Sequence, residues 1–312
     1  MQARGSTLAP GILFDSDMGR NIDAALALSM LYGLGRGRVI GVAVSSSTLD
    51  AAAFCDALAR FQGAGGSLPI GLAEEAPKLG DVPMLREPLA MRNAEGEPVF
   101  RTNVRSVIDT ADPAVLFRNA LLTQQDGQGI VVLAGPATNL AHTLALSGAR
   151  DIVSAKVQLL VIAAGAFDSA TVDPRIRGDI ASARKILSDW PSPIVVIGLE
   201  AAAVAPFSDK SIVSEAANHP AVAAYRAYQK QHPGTTQVPA PAALAALYAA
   251  NSSAEYWKLS RNGRIEVSED GRTIFKESSA GNHRYLIVDP AEKERIAEAV
   301  AAMFNRPRTG NR

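Results

Sequence analysis

Six short apolar runs without polar alternation recur in the first two hundred residues: "GILFDSD", "RVIGVAVSSS", "LPIGLA", "GIVVLAG", "VQLLVIAAGA" and "PIVVIGLE". A strand that is apolar on both faces has to be covered on both faces, and parallel strands need a crossover between them. The intervening segments supply it, because a helix from about Ile22, "LDAAAFCDALARF", "ATNLAHTLALSG" and "DIASARKILSDW" carry helical periodicity. The pattern predicts an α/β fold, an open and mostly parallel sheet with helices on both faces.

The 312 residues are read as one domain. Two regions break the rhythm. Residues 80–105 are rich in Pro, Gly, Arg and Glu and follow a strand, so they are either a lid over the strand ends or a surface insertion. From about residue 200 to 312 the pattern turns to helical segments ("SIVSEAANHPAVAAYRAYQKQ", "APAALAALYAAN"), then to "GRIEVSEDGRTIFKE". The last alternates around a Gly-containing turn as an antiparallel hairpin does. A closing helix starts at Asp289 as N-cap and Pro290 as N1.

Lys plus Arg and Asp plus Glu number 31 each, so no basic surface is offered to nucleic acid or to an anionic membrane. Small neutral ligands suit this balance better. The single cysteine, Cys55, sits in an apolar helical pattern and reads as a buried, inert thiol. No run approaches the roughly 18 apolar residues of a membrane span, and "MQARGSTLAPG" lacks the apolar stretch of an export signal. The expected protein is soluble, and either cytoplasmic or, after removal of a signal, periplasmic or secreted.

The densest chemistry lies at the end of the first apolar run, where "ILFDSDMGRNIDAALALSM" holds Asp15, Asp17 and Asp23 in nine positions. Two readings are open on spacing alone. The carboxylates converge on a hard cation such as Ca²⁺, which takes six to eight oxygens. Alternatively, Asp15 and Asp23 cap the helix that follows.

The wider pattern resembles the nucleoside hydrolases, the inosine-uridine-preferring N-ribohydrolases, in a divergent bacterial form. "DSDMGRNIDAALAL" is similar to their opening D-T-D-x-G-N-D-x-D-D-A-L-A-L, and "VVLAGPATNLAHTLA" to their G-P-L-T-N segment. "DPRIRGDIASARKILSDWPSPIVVIGLE" and "GRIEVSEDGRTIFKESSAGNHRYL" follow in family order, so the likeness runs from residue 12 to 286. It implies an N-glycosidase fold with its site at the strand carboxyl ends. There, a Ca²⁺ held by aspartates grips the ribose hydroxyls and a water.

Carried over by position, the resemblance makes Asp15 a calcium ligand and catalytic base, with the main-chain carbonyl of Ala134 as a second ligand. It assigns substrate contacts to Asp17, Asp23, Asn139, Asp173, Arg175 and His283. Two expected ligands are missing, because Ala24 and Ala240 stand where the family has metal-binding aspartates. Asp173 replaces a ribose-binding glutamate and Arg175 a sugar-binding asparagine. Arg175 is either a solvated loop residue or a guanidinium placed where cationic charge was lost.

The degenerate calcium motif leads to a family member with weak or absent calcium-dependent hydrolysis of a ribonucleoside. The alternatives are a non-catalytic nucleoside- or sugar-binding protein and a structural homologue without ligand. The implied partners are a nucleoside or ribose-like molecule and further copies of the chain, as a dimer or tetramer.

Overall fold

The six apolar runs form the parallel strands β1 (Gly11–Ser16), β2 (Val39–Val44), β3 (Ile70–Leu72), β4 (Gly129–Ala134), β5 (Val157–Ile162) and β6 (Ile194–Val196). The computed structural model describes residues 9–34, 38–66, 68–168, 171–212 and 218–306. Two two-residue strands, β7 (Phe207–Ser208) and β8 (Gln237–Val238), pair with each other away from this sheet. Strands β9 (Lys258–Leu259), β10 (Gly263–Val267), β11 (Thr273–Glu277) and β12 (His283–Ile287) join it at the β6 edge.

The order across the main sheet is β3-β2-β1-β4-β5-β6-β12-β10-β11, with β9 antiparallel to β12. Strand β12 runs parallel to β6, whereas β10 is antiparallel to both β11 and β12. The chain reverses its direction of travel across the sheet between β1 and β4. A crevice opens at such a point, beyond the carboxyl ends of the two strands.

Helices alternate with the strands: α1 (Asp23–Tyr32), α2 (Leu49–Phe61), α3 (Pro83–Ala90), α4 (Pro113–Leu122), α5 (Thr138–Ala145), α6 (Ala149–Lys156), α7 (Pro174–Gly178) and α8 (Ile180–Asp189). After β6 come α9 (Leu199–Val204), α10 (Pro220–Gln231), α11 (Pro241–Ala250) and α12 (Lys293–Phe304). Successive side chains on a strand point to opposite faces. Ile12, Phe14, Val42 and Val132 accordingly join a core with α1, α2, α11 and α12. Leu13, Ala43, Val131 and Leu133 join a second core with α4, α5 and α8. Apolar residues in consecutive positions are what two buried faces require.

Helices α1 and α11 pack against each other, and every residue of α1 and Pro241–Ala249 of α11 are buried. Their alanines keep the two backbones close. Around β10 and β11 the hairpin forms as the alternation predicts, with Val267 opposite Thr273. Asp289 accepts a hydrogen bond from Ala291 N at 3.0 Å, and a 3-10 turn at Pro290–Glu292 then leads into α12.

Of the helical run expected from Ser211, α10 is described from Pro220, with His219 at its N-cap through a bond from Ala221 N; residues 213–217 lie outside the described residues. Within residues 80–105, helix α3 packs on α2 and α10, with Val82, Met84 and Leu85 buried; a Cβ at Gly19 would lie 2.8 Å from Leu85 and 3.2 Å from Val82, so the segment also borders the turn that follows β1.

Candidate functional site

Strand β1 ends beside β4 with Ser16 opposite Ala134, and the next residue, Asp17, donates its N–H to the Ala134 carbonyl at 3.3 Å. Gly135 permits this approach. A Cβ there would lie 2.6 Å from Asp17 N and 2.8 Å from the Ser16 carbonyl carbon. The chain then turns through Gly19, at φ +101°, into α1. Ile22 occupies the N-cap without a side-chain bond, so helix capping is not the use of Asp15 or Asp23.

Arg175 reaches this cluster from across the sheet. Asp173 caps α7 by accepting from Arg175 N at 2.7 Å, and Pro174 starts the helix, so the turn aims the arginine inward. The guanidinium Nη2 donates to both carboxylate oxygens of Asp23, at 2.8 and 2.9 Å. Nη1 donates to the Ala163 carbonyl at 3.0 Å, just beyond β5, while Nε lies 3.4 Å from Asp17 Oδ1. Arg20 flanks the other side of Asp17, at 3.7 Å from Oδ2. Asp23 also accepts from Ala242 N, in the first turn of α11, at 3.3 Å.

Burial works against the charge on Arg175, but Asp23 and Asp17 more than offset it and hold its pKa above the ordinary arginine range. Desolvation raises the pKa of Asp17, opposed by Arg175. Asp173 is raised for the same first reason, against the pull of Arg175 and of backbone N–H groups.

Asp15 lies behind this layer. It is fully buried, with Oδ1 accepting from Asn139 Nδ2 at 2.9 Å and Oδ2 lacking a hydrogen-bond partner among the described residues. Desolvation pushes its pKa up to about 8, with the Asn139 bond opposing the rise and Asp17 adding to it. Asp17, Asp173 and Arg175 border an open cleft of about 390 Å³, and Asp15 and Asn139 do not. These two, carried over as base and substrate contact, form a buried hydrogen-bonded pair that links β1 to α5.

His283, carried over as a substrate contact, lies away from the cleft. It pairs with Ile194 at the amino end of β6, the opposite end of the sheet from the crevice, and its Nδ1 accepts from Ile265 N at 3.0 Å. Desolvation lowers its pKa to about 4. Cys55 is buried, as expected, with its thiol pKa raised by desolvation.

Tyr228 and His232 form a cleft wall that the sequence reading missed. Their rings stack at 4.2 Å between centroids at the end of α10. The i,i+4 spacing of two aromatic rings was the available signal.

Calcium fits these residues poorly. Ala24 and Ala240 offer methyl groups buried in the apolar core, the Ala134 carbonyl already accepts from Asp17 N, and both Asp23 oxygens are bonded to Arg175. Among the described residues, no group of three or more His, Cys, Asp or Glu is placed to hold a metal ion.

Residues 12–304 match the family model of the inosine-uridine preferring nucleoside hydrolases. The fold is similar to that of a plant nucleoside hydrolase, PpNRh1, at 19% identity over 96% of this chain and 99% of that chain, with a TM-score of 0.69. It is also similar to an inosine-uridine preferring nucleoside hydrolase from Bacillus anthracis, at 14% identity over 96% and 100%, with a TM-score of 0.67. A third similar structure is the type III effector protein XopQ complexed with adenosine diphosphate ribose, at 15% identity over 95% and 93%, with a TM-score of 0.62. No curated protein sequence matches the chain.

Proposed function

This chain belongs to the inosine-uridine preferring nucleoside hydrolase family, and from that membership we propose that it binds a nucleoside or related ribosyl ligand while hydrolysing the N-glycosidic bond weakly or not at all. One observation carries the reading: the carboxylates at and beneath the cleft are already engaged. Asp23 spends both oxygens on Arg175, Asp17 lies between Arg175 and Arg20, and Asp173 caps α7.

A hydrolase of this kind has to activate water, whose pKa of about 15.7 makes it a poor nucleophile at neutral pH. That task needs a carboxylate free to take a proton. Asp15 has the raised pKa of a proton-transfer group, but it is sealed beneath the floor. Binding needs less. The open cleft has the size of a small-molecule site, with polar groups at its base and the Tyr228–His232 stack as a face for a planar ring. The ADP-ribose complex of XopQ extends the ligand class from nucleosides to ribosyl nucleotides.

The test pairs two measurements on the unmodified protein in EDTA. Calorimetric titration with inosine, adenosine and ADP-ribose is expected to show binding by at least one of them. Release of p-nitrophenol from its riboside is expected to stay at background. Robust EDTA-sensitive turnover would overturn the loss of hydrolysis, and absence of binding by all three ligands would overturn the binding role.

A further inference from the structure

We infer that the Arg175 guanidinium is the resident cation of this site, standing in the place of a divalent metal and excluding one. The inference deepens the reading of the cleft as a non-hydrolytic site and rests on it. Four oxygens surround the guanidinium: both carboxylate oxygens of Asp23, Oδ1 of Asp17 and the Ala163 carbonyl, at 2.8 to 3.4 Å. An all-oxygen shell with two carboxylates is the donor chemistry that a hard divalent cation selects. Here, directed N–H groups satisfy it.

Three features mark a built arrangement. The arginine side chain is 8% exposed, so protein oxygens rather than solvent meet most of its charge. Its backbone is fixed by the Asp173 cap, on a loop beyond the sheet strand next to β4. Ala24 and Ala240, where the resemblance places metal-binding carboxylates, are packed in the apolar core. Two added carboxylates would surround a single positive charge with excess negative charge. The guanidinium neutralises Asp23, and Asp17 lies between it and Arg20, so the alanines and the arginine form a consistent set. A planar fork also fixes direction, which a spherical ion does not.

The experiment compares the full chain with Arg175→Gln and Arg175→Lys by thermal unfolding in EDTA, in millimolar CaCl₂ and in NaCl of equal ionic strength. Wild type is expected to melt at one temperature in all three. Arg175→Gln removes the charge and frees the oxygens, so it should melt about 6–10 °C lower in EDTA and recover part of that loss in CaCl₂ but not in NaCl. Arg175→Lys keeps a cation in place and should gain nothing from calcium.

Refolding yield from urea gives the same comparison should the glutamine variant be unstable: calcium should raise its yield and leave wild type unchanged. A wild-type midpoint that rises with calcium would overturn the inference. So would a glutamine variant as stable as wild type, or one whose midpoint and refolding yield both ignore calcium. Ligand binding by wild type in EDTA is a separate readout, so loss of the binding role and loss of this inference are distinguishable.

Discussion

Arg175 and Asp23 form a pair in which neither partner can turn to water: the carboxylate is fully buried and the arginine nearly so. Breaking such a pair leaves an uncompensated charge in a dry site, at a cost of about 3–5 kcal/mol. Asp23→Asn should lose stability of that order in urea unfolding, while a change at an exposed pair such as Lys185–Asp189 should cost about 0–1 kcal/mol. Asp15 presents the opposite case, a carboxyl that is protonated when folded. Its folded pKa, about 8, lies above the ordinary 3.8, so its contribution is complete below 3.8 and is lost as pH rises toward 8. In that interval the wild type should lose up to about 1.4 kcal/mol per pH unit from this group. Asp15→Asn keeps an oxygen for the Asn139 amide and removes the titration, so its stability should flatten over the same range by chemical unfolding at stepped pH.

At the scale of elements, the site depends on how closely two strand ends approach. The β1 and β4 exits meet at Gly135, where a Cβ would press on the Ser16–Asp17 backbone and on the Ser45 hydroxyl, and that backbone cannot swing away as a flexible side chain would. Gly135→Ala should therefore displace Asp17 and cost about 1–3 kcal/mol, read by urea unfolding together with a weakened response to ribosyl ligands in calorimetry. The pairing of α1 with α11 sets the other wall. Both helices are buried on every side, which their nearly unbroken apolar sequences allow and an amphipathic pattern would not. Helix α3 illustrates the converse. Its irregular Pro- and Arg-containing sequence left a lid and a surface insertion both open, and Val82, Met84 and Leu85 seat it on α2 and α10.

For the whole molecule, the sheet separates two ends with different chemistry. Acidic and basic groups gather at the carboxyl ends of β1 and β5, whereas His283 sits at the amino end of β6, bonded to the hairpin strand β10. Its pKa is lowered to about 4 from 6.5, so the stability it contributes is present above 6.5 and lost as pH falls through 4. Over that window the wild type should lose up to about 1.4 kcal/mol per unit. His283→Asn, which retains an acceptor for Ile265 N, should lessen the dependence and leave ligand affinity unchanged. Distant sites without shared partners act additively. A drop in affinity in this variant would show that the two ends communicate.

The sequence by itself determined the parallel sheet, its helices and the terminal hairpin, because burial on two faces leaves a periodic record in consecutive residues. The run of Asp15, Asp17 and Asp23 likewise located the mouth of the sheet, and Ala24 and Ala240 already marked where carboxylates were missing. Only the tertiary structure decided what those residues do. Asp15 is still within β1, whereas Asp17 follows the last residue of the strand, so Asp15 is buried against Asn139 while Asp17 borders the cleft. The chain separation between Asp23 and Arg175, 152 residues, leaves no local pattern to read. Their pairing follows from the β1-β4-β5 order of the sheet, which brings the loops after β1 and β5 together over the end of β4. Charge, distance and burial then fix the role of the arginine, and these are properties of the folded arrangement.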